Sequence, residues 1–308
     1  MDGKRPSWNW LVNANAILLT LTAVSWALEV PFRLGLVVYN EQFLAAILGL
    51  ALSLAFLAHI GRCASRSITA IYAVMTAAAI AVCFYIAIAY PDFSFAMTFS
   101  PTWGLVVCAI LVVLVIEGIR MTSGLSLMIV VMVFVAYALG RNVLPSPFGG
   151  TPAAASRLVG YLAVDPNAIL GSPLMIASTI VIAFIFMGQT LLRGGGAEFF
   201  RDISLVLLGR FRGGAGKIAI FSSMLFGLVS GSAVGNVVST GVMTIGIMKR
   251  GGFKPQVAAA IEAVASTGGQ ILPPVLGATA FLMADFIRVP YSSIAIAALI
   301  PALLYFLS

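Results

Sequence analysis

Two polar islands interrupt an otherwise apolar chain: Ser230-Gly-Ser-Ala-Val-Gly-Asn236-Val-Val-Ser-Thr240-Gly241 and Ser266-Thr-Gly-Gly-Gln-Ile-Leu-Pro-Pro274. Each offers hydroxyl and amide oxygens, and glycine or proline where a helix would lose its own hydrogen bonds and free backbone carbonyls. Oxygen ligands of this kind suit a hard cation. Interrupted helices at membrane depth add a field, because carbonyl ends of half-helices coordinate Na⁺ while N–H ends favour an anion. The chemistry on offer is cation-coupled transport of a small anionic solute.

Enzyme chemistry finds less support. Arg212-Gly-Gly-Ala-Gly-Lys217-Ile218 resembles a phosphate loop, yet Phe211 stands where the pattern needs Gly and Ile218 where it needs Ser or Thr. His59 is the single histidine, near the end of an apolar run, and no G-x-S-x-G elbow is present. Cys63, Cys83 and Cys108 lack metal or disulfide spacing and read as packing residues. Three carboxylates lie near the ends of apolar runs: Glu29, Glu117 with Arg120 at i+3, and Glu262, one turn before the second island. Glu262 is the candidate for a part in coupling.

These residues must be held by a membrane protein. Of the 308 residues, 61% are hydrophobic and 9% charged, with a mean hydropathy of +1.09. That balance cannot coat a soluble globule. The net charge of +7 sits in short basic clusters between apolar runs and marks topology, not nucleic-acid binding. About 20 apolar residues make one crossing. Spans fall near Asn13–Pro31, read as a retained first helix, then Phe43–Ile60, Ile68–Tyr90, Thr102–Ile119, Gly124–Gly140, Pro173–Leu192 and Tyr291–Ser308. A composite span covers 255–284, with Pro273 and Pro274 breaking it. The expected fold is all-α and polytopic, with about eight membrane-crossing helices, one re-entrant helical hairpin and one broken helix.

The hairpin follows from length and charge. Residues 218–248 number 31, too many for one upright helix and too few for two crossings with a turn. With the N-terminus cytoplasmic, 13 of the 17 Lys and Arg residues fall inside, provided Lys217 and Lys249 lie on one side. The polar stretch 230–241 is then the turning region. The alternative is one long tilted helix, whose Ser223, Gly227, Gly231, Gly235 and Ser239 form a small-residue face. In that version the protein is a non-transporting scaffold or assembly subunit. Residues 197–211 alternate apolar and charged side chains, as an amphipathic interfacial helix does, and 142–172 shows little periodicity.

The two islands, together with Met248-Lys-Arg-Gly-Gly-Phe253, Glu262-Ala-Val-Ala at the head of the second island, and Val289-Pro-Tyr291, resemble the large permease subunit of TRAP transporters, in the TAXI-type fused version. Glu117-Gly-Ile-Arg120-Met-Thr-Ser-Gly124 resembles the junction after a four-helix small-subunit-like domain, here residues 1–120. Residues 121–308 then correspond to the first repeat of the transport domain. The resemblance implies the first half of an inverted-repeat, elevator-type transporter. It further implies a Na⁺-driven uptake system for small organic acids in a bacterial inner membrane, served by an extracytoplasmic solute-binding protein. Na⁺ is the coupling ion and no other cofactor is implied. Ion and substrate contacts would come from Ser230, Ser232, Asn236 and Thr240 of the hairpin and from Ser266, Thr267, Gly268, Gly269 and Pro273 of the broken helix. Gly235 stands where many relatives have Ala. The second hairpin and second broken helix of the inverted repeat do not occur within these 308 residues, so a C-terminal half of the permease is an expected partner and the site is half a site.

Overall fold

A computed structural model describes residues 9–61, 65–143 and 145–308. Lys4, Arg5, Arg62 and Cys63 lie outside the described residues. The described residues are all-helical, with six helices long and apolar enough to cross a membrane, and they form two compact units divided between Thr179 and Ile180. The boundary expected near residue 120 falls inside a helix that runs to Ser123, and the compact units divide later.

The first unit contains α1 (Asn9–Ala27), α2 (Val30–Arg33), α3 (Asn40–Ile60), α4 (Arg66–Met97), α5 (Thr102–Ser123), α6 (Leu125–Gly140), α7 (Ala155–Val164) and α8 (Ser172–Ile176). Helix α3 is its core, burying Phe43, Leu44, Ile47 and Phe56 against α1, α4 and α5. Small residues set these approaches: a Cβ on Gly49 would lie 2.7 Å from Cys83 Cβ, and one on Gly118 2.7 Å from Leu52 Cδ2. Buried Asn15 joins α1 to α3 by donating 2.6 Å to Ser53 Oγ. Glu117 does pair with Arg120, and also accepts a 2.9 Å hydrogen bond from Tyr72 Oη.

Two sequence expectations need correction in this unit. The third span does not stop at Tyr90 but runs through Pro91 to Met97, kinked at Ala89. Pro91 has no N–H for the carbonyl of Ala87, and Gln42 Nε2 from α3 donates to that carbonyl at 2.8 Å instead. The segment 142–172 is not wholly irregular either, since α7 forms within it and buries Ala163.

The second unit contains α9 (Ile182–Arg193), α10 (Gly196–Leu208), α11 (Gly214–Ser230), α12 (Ala233–Arg250), α13 (Pro255–Gly268), α14 (Ala278–Ile287) and α15 (Tyr291–Leu307). Helix α9 continues the span Ser172–Arg193 beyond a π-helical stretch at Ala177–Val181. Helix α10 is the amphipathic element expected at 197–211. Helix α15, at 17 residues, is at the short end of the range for a crossing.

Helices α11 and α12 fold back on one another. A Cβ on Gly251 would meet Ala215 Cβ at 2.7 Å, and one on Gly216 would meet the Phe253 ring at 3.2 Å, so the two feet of the hairpin are side by side. Fully buried Ala219, Met248 and Ala258 pack there with Phe253 and Ile261. The single tilted helix is excluded. The turn is tighter than the expected 230–241: Gly231, with φ +57°, ends α11, and Ser232 starts α12 by accepting Gly235 N–H on its hydroxyl at 3.2 Å. Residues 235–241 are helical. The interrupted helix is present, with α13 and α14 separated by residues 269–277.

Candidate functional site

The break between α13 and α14 is a defined loop. Gly277 N–H donates to Gln270 O at 2.7 Å, Leu276 N–H donates to Tyr291 Oη at 3.0 Å, and Tyr291 Oη donates to Pro274 O at 2.8 Å. Tyr291 also stacks on Phe281, ring centroids 4.2 Å apart. One aromatic residue from the start of α15 thus satisfies backbone groups that the unwound segment leaves free, as non-helical backbone at membrane depth requires.

The hairpin loop and this break meet. A Cβ on Gly231 would lie 3.0 Å from Leu276 O, and Gly227 faces Gly269 with no room for a side chain on either. Gly268, beside it, lies under the rings of Tyr305 and Phe306. The glycines of the second island therefore allow close approach on two sides, one to the hairpin and one to α15. Two cavities of about 200 Å³ flank the meeting point. One is lined by Gly188, Gln189, Phe226, Ser230 and Ser239, the other by Ser230, Ser232, Gln270, Leu276 and Phe281. Ser230 Oγ is buried and has no hydrogen-bond partner among the described residues.

Below the loop lies a hydroxyl cluster around one carboxylate. Asn236, Thr240 and Thr244 recur at every fourth position of α12, so they share a face, and Glu262 and Ser266 do the same on α13. Ser223 of α11 completes the set. All six side chains are at most 1% exposed. Asn236 Nδ2 donates to Ser223 O at 2.8 Å and its Oδ1 is 3.1 Å from Thr240 Oγ1. Glu262 Oε1 accepts from Thr240 at 2.6 Å and from Ser223 and Ser266 at 3.2 Å each, while Oε2 accepts from Thr244 at 2.6 Å.

The residues expected from the sequence thus sort into groups. Ser230 and Ser232 line the cavities, Asn236, Thr240 and Ser266 join the buried cluster, and Gly268 and Gly269 make the close contacts. Pro273 stands half-buried in the loop. Thr267 is exposed and donates back to Ala263 O at 2.7 Å, away from the others. Sequence reasoning missed Ser223, Thr244, Gln189 and the cavity-lining role of Gln270. The fourfold spacing of Thr244 after Asn236 and Thr240 was the available signal for one of them. Buried Ser222 also has an unpartnered hydroxyl among the described residues.

The family model described as the DctM component of tripartite ATP-independent periplasmic transporters matches residues 110–308. The chain is 29% identical over 179 residues to the isethionate TRAP transporter permease protein DctMQ of Oleidesulfovibrio alaskensis, covering 56% of this chain and 27% of that one. It is 30% identical over 96 residues to the C4-dicarboxylate TRAP transporter large permease protein DctM of Vibrio cholerae, covering 31% and 21%. Against the DctM of the same description from Rhodobacter capsulatus it is 31% identical over 91 residues, covering 30% and 21%. Matches to the first curated relatives span between 27% and 35% of those relatives' lengths. No solved structure matches the chain significantly.

Proposed function

The chain belongs to the DctM-component family of tripartite ATP-independent periplasmic transporters, and from that footing we propose that it is a membrane permease component of a Na⁺-coupled secondary uptake system for small organic acids. The substrate reaches it on an extracytoplasmic solute-binding protein, and the system works in a bacterial inner membrane with the chain's N-terminus in the cytoplasm. Relatives named for isethionate and C4-dicarboxylates transport acids, which fits a small anion as cargo. They are transporters rather than enzymes.

The observation that carries this reading is the meeting of the two interruptions, with Gly231 against Leu276 and Gly227 against Gly269. It puts the N-cap of α12, Ser232, and Gln270, two residues past the C-terminal end of α13, on the lining of one cavity. An anionic substrate is favoured by the first and a cation by the second. Ser230 and Ser232 contribute hydroxyls to the substrate, while Asn236, Thr240, Ser266 and the carbonyls of residues 267–273 lie on the ion side. No Lys, Arg or His among the described residues lines either cavity, so this half of the site holds the acid by neutral donors. A second, inversely related hairpin and broken helix in the remainder of the permease complete it.

The test is uptake of labelled C4-dicarboxylate and isethionate into proteoliposomes holding the permease, with its solute-binding protein outside. Uptake is expected only with an inward Na⁺ gradient and with the binding protein present. Uptake indifferent to Na⁺ would overturn the coupling, and no uptake of any organic acid would overturn the transport reading.

A further inference from the structure

We propose that Gly188 of α9 sets the size limit of the cargo, a singly charged acid whose anionic group sits at the hairpin tip and whose compact apolar body takes the room beside Ser230 that a side chain at 188 would fill. This rests on the organic-acid uptake reading above and narrows its substrate class.

The two cavities at the hairpin tip share a wall. Phe184, Ile185, Ser230 and Ser232 line both, so the cavities adjoin around Ser230. Ser230 Oγ is buried and makes no hydrogen bond among the described residues. A buried hydroxyl without a partner is uncommon and costly, so this one has a bond still to make, and the space it borders is where a partner can stand. Beside it begins α12, whose first N–H groups have no carbonyl within the helix and carry the positive end of its dipole. Ser232 accepts two of them, Gly235 N–H on its hydroxyl and Asn236 N–H on its carbonyl, which leaves those of Ala233 and Val234 for an anion.

These donors serve one anionic group. Beyond them, the cavity between α9 and the hairpin is walled by Phe184, Ile185, Leu192 and Phe226, with Gln189 adding a neutral amide. With no Lys, Arg or His on that lining among the described residues, a second carboxylate would lose its water without gaining a counter-charge. An apolar body is favoured there instead.

Gly188 is buried on this wall, next to Ser230. A Cβ built on it would stand 3.9 Å from Ser230 Cα and 4.0 Å from Ser230 Cβ, an ordinary contact. Gly227, Gly251 and Gly269 differ, since a Cβ on any of them would come within 2.5–2.8 Å of its neighbour. Packing therefore admits alanine at 188, and a helix interior favours it over glycine. What a side chain there removes is space in the cavity, carbon for carbon with the cargo.

A binding measurement tests this apart from uptake. The unfolding midpoint of the purified full-length permease, at constant Na⁺, is titrated with propionate, 3-methylbutanoate, 3-phenylpropionate and succinate. The wild type is expected to half-saturate at a lower concentration of 3-methylbutanoate than of succinate. Gly188→Ala is expected to weaken 3-methylbutanoate ~10-fold, to leave propionate within about twofold, and not to lower the midpoint of the unliganded protein. Leu192→Ala, which opens the same wall, is expected to tighten 3-phenylpropionate ~10-fold, a gain that misfolding cannot produce. Tighter wild-type binding of succinate than of 3-methylbutanoate would overturn the assignment. So would equal effects of Gly188→Ala on propionate and 3-methylbutanoate, no gain in folded Leu192→Ala, or no stabilisation of the wild type by any of the four acids. The uptake reading falls separately, if no organic acid enters the proteoliposomes.

Discussion

Gly227 of α11 and Gly269, just past α13, touch backbone to backbone. A Cβ built on Gly227 would stand 2.5 Å from the Gly269 Cα, and one built on Gly269 would stand 2.8 Å from the Gly227 Cα. No flexible side chain is available to yield, so a methyl group there must push the hairpin off the interrupted helix. Gly227→Ala is expected to lower stability by about 1–3 kcal/mol, read as a lower unfolding midpoint. Gly246→Ala is the control, since a Cβ there meets nothing within 4 Å and alanine favours the helix by roughly 1 kcal/mol. Equal effects of the two substitutions would mean that the close crossing is absent in the membrane.

The contact of Ala215 with Gly251 sets the topology of the hairpin. Cysteines introduced as Lys217→Cys and Lys249→Cys, with the native cysteines replaced by alanine, are expected to react with an impermeant thiol reagent from the same face, the cytoplasmic one. Labelling from opposite faces would sink the hairpin in the membrane, and labelling of both from outside would invert the topology.

Much of this arrangement was legible because its causes are local. The 31 residues between basic clusters and Pro273-Pro274 each act on their own stretch of chain, and hairpin and break follow from them, whereas the turn was expected across 230–241 and is confined to Gly231-Ser232. What escaped depends on partners distant in sequence. The third span passes Pro91 because Gln42, 45 positions before Ala87, satisfies the Ala87 carbonyl that Pro91 leaves free. Ser223 belongs to the buried cluster only because α13 docks on α11. Ser266 and Thr267 show the limit most closely. They are adjacent hydroxyls in one island, and helical phase alone sends the first into the cluster and the second outward.

Asn236 fastens α12 to α11 through Ser223 O while its other amide atom faces Thr240. Asn236→Ala removes a buried hydrogen bond, a change of about 1–2 kcal/mol, which corresponds to roughly tenfold in an equilibrium. Na⁺-dependent uptake by the reconstituted permease is expected to fall by about that factor or more. Asn142→Ala, at an exposed position, is expected to leave uptake unchanged. Equal effects would remove Asn236 from the site.

Gln42 and Pro91 make a prediction with a built-in rescue. The Gln42 amide donates to Ala87 O, the carbonyl that a residue other than proline at 91 would bond through its own N–H. Gln42→Leu keeps the bulk, leaves that carbonyl unpartnered in a half-buried position, and is expected to cost about 1–3 kcal/mol. Pro91→Ala returns an N–H to the helix, so in its presence the loss of Gln42 costs little. The double-mutant cycle, read from unfolding midpoints, should therefore show a coupling of about 1 kcal/mol or more, with the double variant more stable than simple addition allows. Additive effects would mean that Gln42 holds α3 to α4 by packing alone, and that the kinked helix passes Pro91 without help from its neighbour.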